Sequence, residues 1–251
     1  MEIWDFTTLT GQNKLIQYAL STYFEYKYKY MNQKQIYIVG DNKYALSMIF
    51  ETISLRYGIG TDVGIVCNRP FTSKDEEFNS GLLKWRTIPS EDFFIGPNDI
   101  CFLAGMSPES RQFLIDFYKE TNIFKNLSSL IHPSASIAQN VSIQNGVRIE
   151  QGTIIGPYAD IGKYTFINRG AIIGHHTIIC ENVNINPGVI INGLCFVGAN
   201  TTIGSGAIIN EGIKIGANCV IGSGSLVTRD IVDDVVAYGS PAKIIRENKV
   251  F

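Results

Sequence analysis

The stretch AIIGHHTIICENVNINPGVIING, residues 171–193, holds two of the chain's three histidines, His175 and His176, side by side. A neutral imidazole, with an ordinary pKa of about 6.5, can accept a proton from an attacking amine or hydroxyl. A positioned base of this kind speeds a reaction by about 10²–10⁴-fold. Acyl transfer also needs a donor for the oxyanion that forms at the carbonyl, and one backbone N–H in that role is worth about 3 kcal/mol. Glu181 is the only other strong acid or base in the stretch. Where such a donor could stand depends on how the second half of the chain is arranged.

From Ile131 the sequence divides without insertion into hexads, among them IEQGTI, IGPYAD, INRGAI, IGHHTI, INPGVI and IGSGAI. All seventeen first positions are Ile or Val, and the fifth positions are mostly small or β-branched. A period of six fits neither the turn of a helix nor the two-residue alternation of a strand, so it calls for a repeat architecture. The expected fold is a parallel β-helix in which each hexad is one short strand and a corner. Three hexads close a triangular coil, and coils stack at about 4.8 Å. First-position aliphatics point inward, each stabilising by roughly 1.5–3 kcal/mol when fully buried. The fifth position faces in near a corner, where only small groups fit. Gly or Asn after the aliphatic residue suits an unusual turn backbone.

On this register both histidines fall on a corner, at hexad positions three and four. One coil on from His175, at the same corner, stands Gly193, whose bare backbone can offer its amide. IGSGAI and IGSGSL place Ser205 and Ser223 one above the other on a different edge, each between glycines. Stacked bare corners admit a long, thin ligand such as the pantetheine arm of coenzyme A. A site that uses both edges needs an adjacent subunit.

The hexads resemble those of the hexapeptide-repeat acyltransferases. That resemblance implies a left-handed β-helix, a homotrimer with active sites between prisms, acetyl-CoA as co-substrate and no metal. Within the superfamily the chain is similar to bacterial acetyltransferases of nucleotide-linked amino sugars and to their sialic acid O-acetyltransferase relatives. Their layout is a small α/β domain, LIHPSA, the coils and a terminal G-x-PAK. Here SLIHPSASI stands at 129–137 and YGSPAKIIR at 238–246, and the resemblance spans residues 34–246. It implies that His175 is the catalytic base and that the Gly193 amide meets the acetyl carbonyl. It also implies that Asn168 lies near the acceptor sugar, that Ser205 and Ser223 contact the cofactor, and that Lys243 reaches its phosphates. The sequence departs from the pattern twice. His176 replaces the acidic residue that follows the base, and Asn184 replaces a second histidine; both count with the acceptor-binding residues.

The expected organisation is a helical extension at 1–33, a nucleotide-sugar-binding α/β domain at 34–128, the β-helix at 129–232 and a tail at 233–251. KQIYIVGDNKYALSMIFETI reads as strand, turn and amphipathic helix, TDVGIVCN as a second strand, and DICFLAGMSPESRQFLIDFYKE as strand and helix. Such a Rossmann-like layer would hold a nucleotide near the strand C-termini, at Gly40, Asp41, Asn42 and Gly105. A formal net charge of −2 gives nucleic acid and anionic membranes no bulk attraction. No apolar run approaches the roughly 18 residues of a spanning helix, and MEIWDFTTLTGQNK lacks the order of a signal peptide. The five cysteines form no CxxC pair and leave an odd one, as in a reduced, cytoplasmic protein. The expected function is acetyl transfer to a nucleotide-linked amino sugar in bacterial surface-glycan synthesis. The alternatives are O-acetylation of a sialic-acid-like sugar, a metal enzyme of the carbonic anhydrase type built on His132, His175 and His176, and a non-catalytic β-helix scaffold.

Overall fold

A computed structural model describes residues 34–67, 83–90, 93, 95–119, 123 and 126–249. The helical extension expected at 1–33 lies outside the described residues.

The first part runs β1 (Ile36–Val39), α1 (Lys43–Tyr57), β2 (Asp62–Cys67), β3 (Lys84–Pro89), β4 (Ile100–Leu103) and α2 (Pro108–Tyr118). The four strands form a parallel sheet in the order β3-β2-β1-β4. Alternation along β1 sends Ile36 and Ile38 into the core under α1, and Tyr37 and Val39 into the core under α2. The helices therefore cover opposite faces of the sheet, as a buried parallel sheet requires. The Asn42 side chain caps α1 by accepting from the Ala45 N–H at 3.1 Å. A capping box of Ser107 and Ser110, with Pro108 in the first turn, starts α2. The strand signals in the sequence do not mark β3. KWRTIP is partly exposed at the sheet edge and ends on proline, a residue that edges tolerate.

From Leu130–Ile131 to Leu226–Val227, two-residue strands recur with the period of the hexads. Each pairs in parallel with the equivalent strand of the next coil, as in Phe166↔Asn184, Ile172↔Ile190 and Ile178↔Phe196. The strands stack into three faces, the first beginning at Leu130, the second at Ser136 and the third at Ser142. First-position aliphatics from Ile149 to Val227 are fully buried along the axis. Fifth-position threonines close corners from within. Thr177 Oγ1 donates to the Asn192 carbonyl at 3.0 Å and accepts from the Cys195 N–H at 3.3 Å. Thr165 and Thr201 repeat both contacts.

Glycine acts differently from the expectation. At the second hexad position its backbone is ordinary, and what it supplies is room: a Cβ on Gly174 would strike the Gly193 nitrogen and the Asn192 carbonyl of the next coil. Left-handed dihedrals fall on the fourth position instead, at every one from 146 to 224. On the corner after the first face these residues are all Gly; on the corner after the third they are Gly, Asn and Tyr164. On the corner after the second face they are Tyr158, His176, Leu194 and Gly212.

The segment after the coils is a built element rather than a loose tail. Val235–Gly239 extends the first face beside Val220–Ile221, and Ala242–Glu247 folds back antiparallel on it. YGSPAK is thus the turn region of a hairpin.

The α/β layer docks on the first face through two buried arginines. Arg111 of α2 donates through Nε to Asn182 Oδ1 at 2.9 Å and through Nη1 to Asn184 Oδ1 at 3.2 Å. Its Nη2 reaches the carbonyls of Asn182 and Val183, both at 3.1 Å. Burial, then the charge of Arg148, lower the Arg111 guanidinium to about 9, so it stays charged at neutral pH. Arg148 lies 3.7 Å over the Phe166 ring, with Nε 3.1 Å from Glu150 Oε1 and Nη2 3.2 Å from Met106 Sδ. Burial pushes the Glu150 carboxyl up, against the pull of Arg148. In Arg111→Met the Oδ1 atoms of Asn182 and Asn184 and the Asn182 carbonyl lose their donor, while the Val183 carbonyl keeps the Phe166 N–H. Each buried oxygen left without a donor costs about 1–3 kcal/mol. The expected result is a lower thermal midpoint, with faster amide exchange in α1 and α2 and unchanged exchange in the coils around Ile203. Uniform loosening of both parts would contradict a docking role for Arg111.

Candidate active site

The corner after the second face carries His175 and His176, both exposed. The His175 ring lies across Gly193: a Cβ built on Gly193 would stand 2.6 Å from Nε2 and 2.7 Å from Cε1. The backbone at 193 is not left-handed, so this position needs glycine for space and not for dihedral freedom. The Gly193 carbonyl accepts from the Gly212 N–H at 3.0 Å, while its own N–H donates no hydrogen bond among the described residues. An imidazole nitrogen and an amide that donates to none of the described residues therefore occupy consecutive coils of one corner. On its other side, His175 Nδ1 stands 3.1 Å from His176 Nδ1. The His176 ring stacks on Tyr158, with centroids 4.9 Å apart and planes at 29°. Sequence reasoning missed Tyr158, although the hexad ruler puts it one coil before His176 at the same position.

Ser205 and Ser223 stand exposed on the corner after the first face, tied by a Gly224 N–H donating to the Ser205 carbonyl at 2.9 Å. Nothing lies within 4 Å of where a Cβ on Gly206 or Gly224 would sit, so the rib they form is open. Asn168 lies at the same corner, largely buried, with its Oδ1 accepting from the Arg169 N–H at 2.9 Å. This edge is not that of His175, and one chain does not bring the two together.

Asn184 is placed away from His175. It is buried on the first face, where it accepts from Arg111 and donates to Asn186 Oδ1 at 3.1 Å. Glu181 sits on the third corner, so within one chain it does not orient His175. Lys243 is exposed on the second strand of the terminal hairpin. His132 is buried in the first coil, with Nδ1 2.8 Å from Ser134 Oγ and accepting from the Ser134 N–H at 3.1 Å. Among the described residues no three His, Cys, Asp or Glu side chains converge on a metal position.

A cavity of about 410 Å³ opens at the C-terminal ends of β1, β2 and β4 and is lined by Gly40, Asp41, Asn42 and Gly105. The four residues singled out by sequence thus meet at one place. Three of them also have duties in the fold. Asn42 caps α1, Gly40 (φ +104°) lies where a Cβ would be 2.9 Å from Leu114 Cδ1, and a Cβ on Gly105 would meet the Arg111 main chain. Phe113 and Phe117 of α2 line the same cavity, half exposed, with ring centroids 6.0 Å apart. Their i, i+4 spacing was the available signal for that pairing.

Residues 195–229 match the family model described as "Bacterial transferase hexapeptide (six repeats)". No curated protein sequence matches the chain. Among solved structures, the chain is similar to a variant of perosamine N-acetyltransferase from Caulobacter crescentus, in complex with CoA and GDP-perosamine. Identity is 23%, coverage 85% of this chain and 97% of the other, and the TM-score 0.69. The acetyltransferase domain of PglB from Neisseria gonorrhoeae FA1090 gives 19% identity, coverage of 85% and 100%, and a TM-score of 0.73. WeeI from Acinetobacter baumannii AYE gives 18%, the same coverages and 0.71. At these identities what is shared is the fold.

Gly193→Ala tests the corner directly. The new methyl must displace the His175 ring, while the backbone at 193 accepts alanine. The imidazole resonances of His175 are expected to shift, with far-ultraviolet circular dichroism unchanged. Unperturbed His175 resonances would place the ring elsewhere.

Proposed function

We propose that the protein is an acetyl-CoA-dependent N-acetyltransferase acting on a nucleotide-linked amino sugar in bacterial surface-glycan synthesis. The observation that carries this reading is His175 Nε2 lying over Gly193 beside an amide that donates to nothing among the described residues. The shared fold agrees with it: the Caulobacter protein binds CoA and GDP-perosamine, and the Neisseria domain binds acetyl coenzyme A.

The chemistry follows from those two groups. The amine of the acceptor enters neutral and attacks the thioester carbonyl carbon, forming the C–N bond. Its proton passes to His175 Nε2, and the oxyanion accepts a hydrogen bond from the Gly193 N–H. Collapse breaks the C–S bond, and the imidazole returns the proton to the leaving sulfur. The open rib at Ser205, Gly206, Ser223 and Gly224 fits a pantetheine arm, since no side chain fills it. Lys243 is the group for the cofactor phosphates, and Asn168, whose Oδ1 serves its own turn, keeps its amide nitrogen for the sugar. In the α/β layer, which on this reading is Rossmann-like, the cavity of Gly40, Asp41, Asn42 and Gly105 takes the nucleotide.

This reading requires a second copy of the chain, because the acetyl-donor rib and His175 lie on different edges. The second face offers the contact: Ile154, Ile172 and Ile208 form an apolar column, 47%, 38% and 37% exposed. Three left-handed prisms joined through such columns would bring the rib of one copy beside the histidines of the next. Among the described residues no helix is long and apolar enough to cross a membrane, and the proposal places the reaction in the cytoplasm.

Thiol release from acetyl-CoA against a panel of nucleotide-linked amino and hydroxy sugars, with product masses, tests the function. Release is expected with an amino sugar, and His175→Ala is expected to lower kcat at least about 100-fold with CoA affinity nearly intact. Full activity in that variant would remove His175 from the mechanism, and silence across the panel would remove the reaction class.

A further inference from the structure

His175 can serve as a base only if its Nε2 lone pair is free, which requires the ring's proton on Nδ1. That tautomer is the minor one for a free imidazole side chain, so something in the corner must hold it. Glu181 stands on another corner, and Asn184 is engaged with Arg111. The group that faces His175 Nδ1 is the Nδ1 of His176 at 3.1 Å. Two neutral imidazoles can meet nitrogen to nitrogen at this distance only with one proton between them. Two protons would clash, and none would set lone pair against lone pair.

We infer that His176, braced on the Tyr158 ring, is the positioning residue that fixes His175 as its Nδ1–H tautomer; this rests on the reading of His175 as the base. His175 Nδ1–H donates to His176 Nδ1, and His176 carries its own proton on Nε2. Tyr158 holds the acceptor ring in place by stacking, 4.9 Å between centroids. Both residues sit in the left-handed region, at φ 54° for His176 and 61° for Tyr158. Gly adopts those dihedrals without cost, whereas His enters them less readily and Tyr less readily still. The fold would be served as well by glycine at either position, as it is at Gly212 on the same corner. What glycine could not supply is the acceptor nitrogen and the ring beneath it.

The strain makes the test discriminating, because His176→Gly relieves the backbone while removing the acceptor. Side-chain ¹⁵N spectra of the full-length protein, without substrates, are expected to show His175 as Nδ1–H and His176 as Nε2–H at a pH where both are neutral. In His176→Gly, His175 should revert toward Nε2–H, and kcat for acetyl transfer should fall about tenfold or more with KM for acetyl-CoA little changed. The thermal midpoint should hold or rise, which a merely structural residue would not show. His176→Asn keeps a side-chain acceptor and tolerates the dihedral, so it should restore both the tautomer and part of kcat. Tyr158→Gly should blur the His176 signals and lower kcat in the same sense. An Nε2–H His175 in the wild type, or a tautomer and kcat indifferent to His176→Gly, would overturn the inference. A wild type with the expected tautomers but no transfer to any sugar would sink the proposed function and leave the dyad standing.

Discussion

Everything placed on the coils depends on one constraint, the backbone register between successive turns. Each strand is two residues long and would be worthless alone; it exists because it pairs above and below, as Ile172 does with Ile154 and Ile190. That ladder fixes which residue lies over which. His175 meets Gly193, and Ser205 meets Ser223, because main-chain hydrogen bonds such as Leu194 N–H to the His175 carbonyl permit no slippage. A single-residue slip would turn the buried aliphatic column to solvent. The fifth-position threonines add a second lock inside the corners, bonding forward to one carbonyl and accepting from the amide one coil on. Precision at the candidate site is therefore inherited from repetition far larger than the site.

The docking of the α/β layer decides which surfaces remain for function. Arg111 spends its donors on Asn182, Asn184 and Val183, and Arg148 its ring contact on Phe166 and its charge on Glu150. Desolvating two guanidinium groups is expensive unless their hydrogen bonds are met, and Arg111 meets four oxygens here. The first face is thereby committed to structure. Among the described residues the other two faces are left open, bounded by the corner with the histidines and, at the far edge of the second face, by the corner with the bare rib. The apolar column of Ile154, Ile172 and Ile208 lies between those two corners, which is where an assembling copy would complete a site.

How much could be read from residues alone follows from whether the cause was local and periodic. The hexads state the coil, its register and the vertical pair His175–Gly193, because a period of six has one compact solution. The two helices were readable from their own stretches of sequence, and each starts on a local cap, at Asn42 and Ser107. Contacts between distant elements left no periodic mark. Nothing near Arg111 announces that it will reach Asn184, so Asn184 looked like an acceptor-site residue when its amide is used for docking. Likewise β3 is a partly exposed edge strand without strong alternation, and its partner β2 is what makes it a strand. The glycines after the aliphatic residues were expected to supply unusual turn dihedrals. They instead serve close approach, a property of the neighbouring coil rather than of their own backbone, and the left-handed residues stand two positions on.

The distribution of left-handed residues argues that the histidine corner was shaped for something other than stability. Each L-residue in that region costs roughly 1–2 kcal/mol relative to the ordinary helix region, with Gly exempt and Asn partly so. The corner after the first face uses glycine throughout, and the corner after the third uses Gly and Asn apart from Tyr164, which packs into the core under α2. Only the corner after the second face places Tyr158, His176 and Leu194 in succession, all exposed, so that no core contact offsets the strain. Strain without a packing return, concentrated on one edge, points from an observed outlier to a role. The ring stack of Tyr158 on His176, and the contact of His176 with His175, give that role a chemical form. A repeat that could have ended every turn on glycine instead keeps three bulky side chains on the edge that carries His175.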